Sequence, residues 1–154
     1  MCDLPLDVDE FRSLIGELVP AHQQSQVLSA LELPGATETD FDQLGTALTG
    51  EQSGSGFIFY TSTGAHSKVS LWVAIKAEMY DLFCTKSNKY TAERKEGVLT
   101  VKNIVTIIAT AVAASFNVAL GVVTGAVTLA LMCVLKVGRN AWCAINEPKL
   151  AAPN

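Results

Sequence analysis

The chain has 154 residues, a mean hydropathy of +0.31 and a formal charge of −4. Its length limits it to one compact domain, or to a small domain with a membrane segment. Residues 1–56 carry ten acidic residues and one basic residue (−9), whereas residues 57–154 carry ten basic and five acidic residues (+5). A basic half beside an apolar stretch suits an anionic membrane surface, and an acidic half suits solvent or a basic protein partner.

The start of the chain, "MCDLPLDVDEF", is acidic and lacks the basic and apolar regions of a secretory signal peptide. We therefore expect the N-terminus to be cytoplasmic. The cysteines are widely spaced and form no CxxC pair, so in a reducing compartment they are expected to be free thiols. They are Cys2, Cys84, Cys133 and Cys143.

Residues 1–49 are predicted to form an acidic helical head of three short helices. The first follows an N-cap at Asp7 and stops at Pro20, and the second covers about 21–31. The third lies within residues 37–48 and is capped by Thr39 or Asp40. The apolar residues expected to face inward are Phe11, Leu14, Ile15, Leu18, Val27, Leu28, Leu31, Phe41, Leu44 and Leu48. Such a bundle is marginal alone because it buries few large side chains.

The middle of the chain begins with a flexible linker at residues 50–56, "GEQSGSG". Residues 57–62 then read as a short strand or as the start of a buried helix. Residues 57–102 further contain an amphipathic helix, at about 66–83, and a basic connection. The residues at helical spacing on one face of this helix are Val69, Trp72, Val73, Lys76, Met79, Tyr80 and Phe83.

An apolar segment, predicted at residues 103–137, dominates the second half of the chain. The 33 residues from Asn103 to Leu135 include no charged side chain. One span needs about 20 apolar residues, so the segment is longer than one span and shorter than two with a turn. A break at "SFN" (residues 115–117) would give a helical hairpin, with Ser115 or Asn117 capping the second helix. Without a break, one long tilted helix results.

Small and weakly polar residues form a stripe along this segment at steps of three or four. They are Thr106, Thr110, Ala114, Asn117, Gly121, Thr124 and Thr128, with Gly125 completing a GxxxG pair. In lipid, small residues let helix backbones approach closely, and Asn or Thr can hydrogen-bond between helices. The stripe therefore predicts a helix–helix contact. The alternative is that these residues only allow tight packing inside a soluble helical hairpin.

Basic and aromatic residues at the ends of the apolar segment are predicted to lie at a membrane interface. They are Lys102, Lys136, Arg139 and Trp142, the last two within the C-terminal tail at residues 138–154. A single span favours a cytoplasmic N-terminal side, whereas basic flanks on both sides equally suit a re-entrant hairpin. The side of the C-terminus stays open.

Catalytic and binding motifs are missing from the sequence. His22 and His66 have no metal-ligand spacing, and neither a phosphate-binding GK[ST] loop nor a GxSxG motif is present. The basic connection lacks the aromatic residues of a nucleic-acid platform. We expect no enzyme, no catalytic, cofactor or metal site and no nucleic-acid partner.

The sequence thus predicts a mainly α protein with an acidic helical head and an apolar helix or hairpin. The leading hypothesis is a membrane-associated protein that forms homo-oligomers through the stripe, possesses a protein-binding or regulatory head and perturbs the bilayer. The alternative is a soluble, cytoplasmic helical binding module or assembly subunit, whose apolar hairpin is buried in its core or at a subunit interface.

Overall fold

A computed structural model describes residues 8–32, 37–49, 70–85 and 100–147 of the chain. Within these ranges 87% of the residues are helical and no strand is present, so the mainly α prediction is confirmed. The helices are α1 Val8–Leu18, α2 Ala21–Glu32, α3 Glu38–Leu48, α4 Leu71–Cys84, α5 Val101–Phe116, α6 Leu120–Val137 and α7 Arg139–Ile145. The predicted linker, the predicted strand and most of the basic connection lie outside the described residues.

The N-cap of the third helix of the head lies two or three residues earlier than predicted. Thr37 is the N-cap: it has extended backbone angles, and its hydroxyl accepts a hydrogen bond from the amide of Asp40. The carboxylate of Asp40 accepts one from the amide of Thr37, which completes a capping box. The prediction of Thr39 or Asp40 as the cap was wrong, because both residues already lie inside the first helical turn. The predicted N-cap Asp7 lies outside the described residues.

The head uses the inward residues that its periodicity indicated. The buried ones are Phe11, Leu14, Ile15, Val27, Leu31 and Phe41, and those half-buried against them are Leu18, Leu28, Leu44 and Leu48. Their outward neighbours are exposed and include Asp9, Glu10, Arg12 and Glu17. The three helices are therefore amphipathic, with apolar faces that need a partner surface.

Helix α4 is turned relative to its predicted face. Its buried residues are Leu71, Trp72, Ile75, Met79, Leu82 and Phe83. Val73, which was predicted to face inward, is 58% exposed, so that part of the prediction was wrong. Position 73 lies about 100° around the helix from Trp72. The buried stripe follows Trp72, whose indole packs on Gly45 of α3.

The apolar segment is broken into a helical hairpin at Asn117. This residue has left-handed backbone angles (φ 57°, ψ 41°), and its amide donates to the carbonyl of Ala113. Asn adopts this conformation more readily than most residues, so it ends α5. The break at "SFN" is therefore present, but its predicted origin was wrong. The N-cap of α6 is Ala119, without a side-chain hydrogen bond, and neither Ser115 nor Asn117 caps that helix.

Helix α6 forms the centre of the structure. All residues from 123 to 134 are buried, so every face of the helix is covered. Three residues separate it from α5, against which it packs antiparallel. Helix α3 also runs antiparallel to α6, because Glu38 at its start reaches Cys133, while Leu48 and Thr49 at its end line the same cleft as Val122. A helix that is apolar on all sides requires such an enclosure in water.

A disulfide joins Cys84, at the end of α4, to Cys143 of α7 across 59 residues of sequence. The expectation of free thiols was therefore wrong for this pair, because the fold brings two cysteines that are distant in sequence to a Cα–Cα distance of 5.7 Å. Cys133 is free and buried. The disulfide fastens α4 to the helix that follows the hairpin.

The contact between Gly45 and Trp72 gives a first test of the fold. A Cβ atom at position 45 would overlap the indole ring, which is itself buried. We expect Gly45→Ala to lower the free energy of unfolding by about 1–3 kcal/mol, measured by urea denaturation. The matched change Gly16→Ala meets no atom within 4 Å and should raise it by about 0.5–1 kcal/mol. A gain in stability in both variants would contradict the packing of α3 on α4.

Candidate functional site

The predicted stripe is divided between two different environments. Its first part (Thr106, Thr110, Ala114, Asn117 and Gly121) is exposed along α5 and the turn of the hairpin. Its second part (Thr124, Gly125 and Thr128) is buried in α6. The hairpin therefore does not bring the whole stripe onto one surface. Only this exposed first part can contact another molecule in this conformation.

The GxxxG pair of α6 packs against the corner between α1 and α2. The side-chain oxygen of Gln23 and the side chain of Val19 occupy the space where a Cβ at Gly125 would lie. Gly121 faces Pro20, whose Cγ is 3.7 Å from the position of such a Cβ. Gly125 thus lets the head approach the backbone of α6 closely, as small residues do at close helix crossings, whereas a Cβ at position 121 would make only an ordinary contact.

The hydroxyl groups of the buried stripe bond within their own helix. Thr124 donates to the carbonyl of Leu120 at 2.8 Å, and Thr128 donates to the carbonyl of Thr124 at 2.9 Å. These bonds satisfy the hydroxyl donors without a second helix. These two threonines can therefore be buried either in the core of a soluble protein or in lipid.

The surface of the head that covers α6 includes a buried oxygen atom, Oε1 of Gln23, for which the described residues supply no hydrogen-bond donor. The Oε1 atom of Gln23 is buried and accepts no hydrogen bond in the part of the chain that the structure describes, although the residue is only 7% exposed. A buried acceptor without a donor costs about 1–3 kcal/mol. The contact between α2 and Gly125 therefore stabilises the packing of the head on α6 less than a fully hydrogen-bonded contact would.

A polar cluster, formed by Glu38, Asp42 and Lys76, lies between α3 and α4. The ammonium group of Lys76 is 2.7 Å from Glu38 and 2.8 Å from Asp42, and the side chains of Lys76 and Glu38 are only 18% and 13% exposed. Asp42 also accepts a hydrogen bond from the indole of Trp72 at 2.9 Å. The cluster links α3 of the head to α4.

Glu38 extends this polar cluster to the hairpin and to the residue that follows α7. Its Oε1 accepts a hydrogen bond from the Cys133 thiol at 3.4 Å, and its Oε2 accepts one from the side-chain amide of Asn146 at 3.2 Å. One carboxylate of the head is thereby bonded to α4, to α6 and to the end of α7. Displacement of this carboxylate would break all three of these interactions.

The charge of Lys76 is set by burial and by its two carboxylates. Burial alone lowers the pKa of this lysine, but the hydrogen bonds and the charges of Asp42 and Glu38 raise it by more. The pKa of Lys76 therefore lies above its ordinary value of 10.5, and the side chain is charged at neutral pH.

A groove of about 730 Å³ opens beside the polar cluster and includes Trp72, Lys76, Tyr80 and Asp81 in its wall. Lys76 is already occupied by two carboxylates, and Cys133 is only 2% exposed. Neither is therefore available as a nucleophile. In the described ranges no group of three or more His, Cys, Asp or Glu residues is placed to hold a metal ion.

The predicted membrane-interface residues lie at the open end of the hairpin, where α5 begins and α6 ends. Lys102 forms an exposed ion pair with Glu17 at 2.6 Å, and Lys136 donates to the carbonyl of Ala30 at 3.4 Å. Arg139 is half-buried in α7. Trp142 is 1% exposed and faces the ring of Tyr80, with 6.4 Å between the ring centroids. In this conformation it belongs to the core.

The closed end of the hairpin lies beside a second, apolar cleft of about 660 Å³. Its walls come from the start of α2, the end of α3 and the start of α6; they include Pro20, His22, Gln23, Gln26, Ala47, Leu48, Thr49, Ala119, Gly121 and Val122. Helix α6 is the one helix in the described ranges that is both long and apolar enough to cross a membrane, with 18 residues and a mean hydropathy of 2.1. Helix α5 is apolar but shorter.

Sequence reasoning did not find the polar cluster. The available signal was a lysine, Lys76, at helical spacing between the apolar residues Trp72 and Met79. The acidic residues of the head could supply a partner for it. Nothing in the sequence indicated which of them would meet it, since Glu38 and Asp42 lie more than 30 residues earlier.

Comparison with known proteins finds no family, no curated protein and no solved structure that matches this chain. Inferences about function therefore depend on the geometry of the hairpin and of the helices that cover it.

A half-buried and an exposed lysine, each paired with the head, allow a matched test. Lys76→Met leaves two carboxylates without their partner in a half-buried position, and we expect a loss of about 2 kcal/mol or more in the free energy of unfolding. Lys102→Met removes a pair whose side chains are 55% and 52% exposed, and should cost less than about 1 kcal/mol. Equal losses would contradict the burial of the polar cluster.

The pH dependence of the Lys76→Met effect follows from the raised pKa of Lys76. A raised native pKa stabilises the fold fully below the unfolded value of about 10.5, and the contribution is lost as the pH rises through the native value. The difference in unfolding free energy between the wild type and Lys76→Met should therefore be constant between neutral pH and about pH 10 and shrink above it.

Proposed function

We propose that this protein is a membrane-active helical protein held in a closed conformation, in which the acidic head (α1–α3) covers the hairpin α5–α6. The observation that carries the proposal is that α6 is apolar enough to span a bilayer and is covered by amphipathic helices with charged outer faces. Opening would move the head aside and let lipid take its place around the hairpin.

The dimensions of the hairpin suit a bilayer. At 1.5 Å per residue, α5 is about 24 Å long and α6 about 27 Å long, against a hydrocarbon core of about 30 Å. A mismatch of a few ångströms is accommodated by local thinning of the bilayer. The backbone groups inside the two helices are satisfied by their own hydrogen bonds, as lipid requires.

The closed conformation cannot itself enter a bilayer. The outer faces of α1 carry Asp9, Glu10, Arg12 and Glu17, and charged side chains are costly inside lipid. The head must therefore separate from α6 before the hairpin can insert. The contacts that resist this separation are the polar cluster around Lys76, the Glu17–Lys102 pair and the apolar face of α3. They give the head its proposed regulatory role, which a protein partner of the head could also exert.

Self-association is proposed to use the exposed part of the stripe. Thr106, Thr110 and Ala114 recur along the outer face of α5 and let a second helix approach closely. Gly125 is already covered by Gln23 of the same chain, so it becomes available only after the head has moved. The inserted protein is thus expected to form homo-oligomers along α5.

The proposal also concerns the cellular compartment that the closed chain faces. A disulfide persists in oxidising compartments, so the Cys84–Cys143 pair favours a closed chain that faces such a compartment rather than the reducing cytoplasm. Lys102 and Lys136, at the open end of the hairpin, suit the phosphate layer of the bilayer on the side from which the hairpin inserts.

The second candidate is a soluble helical binding module whose hairpin never leaves its core. It is favoured by one observation: 67% of α6 is buried within the chain itself, as in the core helix of a soluble protein. Under this alternative the protein remains monodisperse without detergent, and the amides of residues 104–135 are protected from hydrogen exchange whether or not vesicles are present.

A matched pair of core variants tests the proposed opening. Phe41→Leu weakens the packing of the head, whereas Phe83→Leu makes the same change in α4, which the disulfide fastens to α7. Each exchange should cost about 1 kcal/mol, and weakening the head by that amount should raise the open fraction about fivefold. We therefore expect only Phe41→Leu to raise the fraction of protein that floats with phosphatidylcholine–phosphatidylglycerol vesicles and resists an alkaline wash.

The two candidates give opposite results in this experiment. If neither wild type nor Phe41→Leu binds vesicles, membrane activity is ruled out and the soluble module remains. If Phe41→Leu and Phe83→Leu bind vesicles equally, general destabilisation causes the binding, and the head does not control it.

Self-association is tested by an exchange on the outer face of α5. Thr110→Leu keeps the helix apolar but places a larger side chain in the stripe, so we expect the oligomer in detergent to dissociate, as measured by analytical ultracentrifugation. Thr39→Leu, an equally exposed position in α3, is the control and should leave the oligomer intact. An unchanged oligomer in Thr110→Leu would remove α5 from the contact.

A further inference from the structure

The closed end of the hairpin is less covered than the rest of α6. This hairpin tip, residues 117–122, contains the left-handed Asn117 and the first turn of α6. All four residues from 119 to 122 are exposed, whereas all residues from 123 to 134 are buried. Residues 120–122 are the first three helical residues of α6, and they point in directions about 100° apart around its axis. Their joint exposure therefore means that the tip is less covered than the rest of α6 on more than one face, although Gly121 still lies near Pro20 of the head.

The tip is apolar as well as exposed. Leu120 is 47% exposed and Val122 is 40% exposed, and Phe116 and Val118 beside them are half-buried. No charged side chain occurs in the sequence between Lys102 and Lys136, so none would have to be carried through lipid by the tip or by the helices behind it. The apolar cleft beside Val122 separates the tip from the start of α2 and the end of α3.

The opposite end of the hairpin is charged and covalently fastened. Lys102 and Lys136 lie there, with Arg139 two residues beyond α6, and the disulfide holds α7 to α4. The hairpin is therefore polarised along its length, with an apolar free end and a cationic fixed end. This charge distribution is complementary to a bilayer, whose apolar interior lies beneath a layer of anionic phosphates. A protein partner would give no reason for the cationic residues to be confined to the far end.

We propose that the hairpin tip is the first part of the protein to contact and enter a lipid bilayer, and that the open end of the hairpin stays at the phosphate layer on the same side. The inference rests on the proposed function and specifies its lipid contact and its direction. It requires that both termini of the hairpin remain on one side of the membrane. The second orientation considered for the sequence, a re-entrant hairpin, is thereby preferred to a single span.

A pair of charged variants tests the role of the tip. Leu120→Asp places a charge on the tip, and Ile145→Asp places one on α7, where the side chain is 54% exposed and lies at the fixed end. Both positions are exposed, so neither exchange disturbs the core. We expect Leu120→Asp to lower the partition coefficient of the full chain onto phosphatidylcholine–phosphatidylglycerol vesicles at least tenfold, and Ile145→Asp to change it less than twofold.

The depth of each end in the bilayer is measured with bimane on Ala119→Cys or Asn140→Cys, each in a Cys2→Ser background. Both positions are exposed, Cys133 is buried, and Cys84 and Cys143 are joined to each other. A label at position 119 should be quenched by nitroxides deep in the acyl chains. A label at position 140 should be quenched only by nitroxides at the headgroups.

The outcomes separate the inference from the function on which it rests. Wild type that does not bind vesicles removes both. Wild type that binds while Leu120→Asp binds equally, or while the label at 119 stays at headgroup depth, overturns the role of the tip and leaves membrane activity standing. If Leu120→Asp instead dissociates an oligomer in water without lipid, the tip is a contact between copies of the chain and the inference is wrong.

Discussion

The structure depends on the enclosure of α6. Twelve consecutive residues of this helix, 123–134, are buried, and a helix that is apolar on all sides can exist in water only when other helices surround it. Each neighbour contributes a different kind of contact. Helix α5 comes from the same hairpin, α2 and α3 bring the apolar faces of the acidic head, and α4 and α7 are fastened by a disulfide. The arrangement of the other helices follows from the surface that α6 must hide.

The contacts around α6 differ in how readily they can be undone. The disulfide between α4 and α7 is covalent, and α5 is joined to α6 by only three residues. The head, by contrast, is held through side chains: the carboxylates of Glu38 and Asp42 on Lys76, an exposed Glu17–Lys102 pair, and a Gln23 oxygen without a hydrogen-bond partner. Exposed ion pairs contribute little, and an unsatisfied acceptor is unfavourable. Within the described residues the head is therefore held on α6 by its apolar faces and by these polar contacts, and not by a covalent cross-link.

Three features of the hairpin suit a bilayer. The outer face of α5 is small and weakly polar, the tip of the hairpin is apolar and exposed, and its basic residues are confined to the other end. These properties have no evident use in a core helix alone. A soluble module needs α6 to be covered, but it does not need an uncharged exposed turn or a hairpin polarised along its length.

The sequence by itself determined the mainly α class and the amphipathic helices of the head, and it placed a possible break near residue 117 without deciding between a hairpin and one long helix. These are local properties: hydrophobic periodicity, helix-capping residues and the tolerance of Asn for left-handed backbone angles act over a few neighbouring residues. Only the tertiary structure decided which surfaces meet. It separated the stripe into an exposed part on α5 and a part on α6 covered by Gln23, and it turned the inward face of α4 toward Gly45. It also paired Cys84 with Cys143 and gathered Glu38, Asp42 and Lys76. Each of these contacts joins residues far apart in the chain, and their partners depend on how all the helices pack around α6 together, which no local pattern encodes.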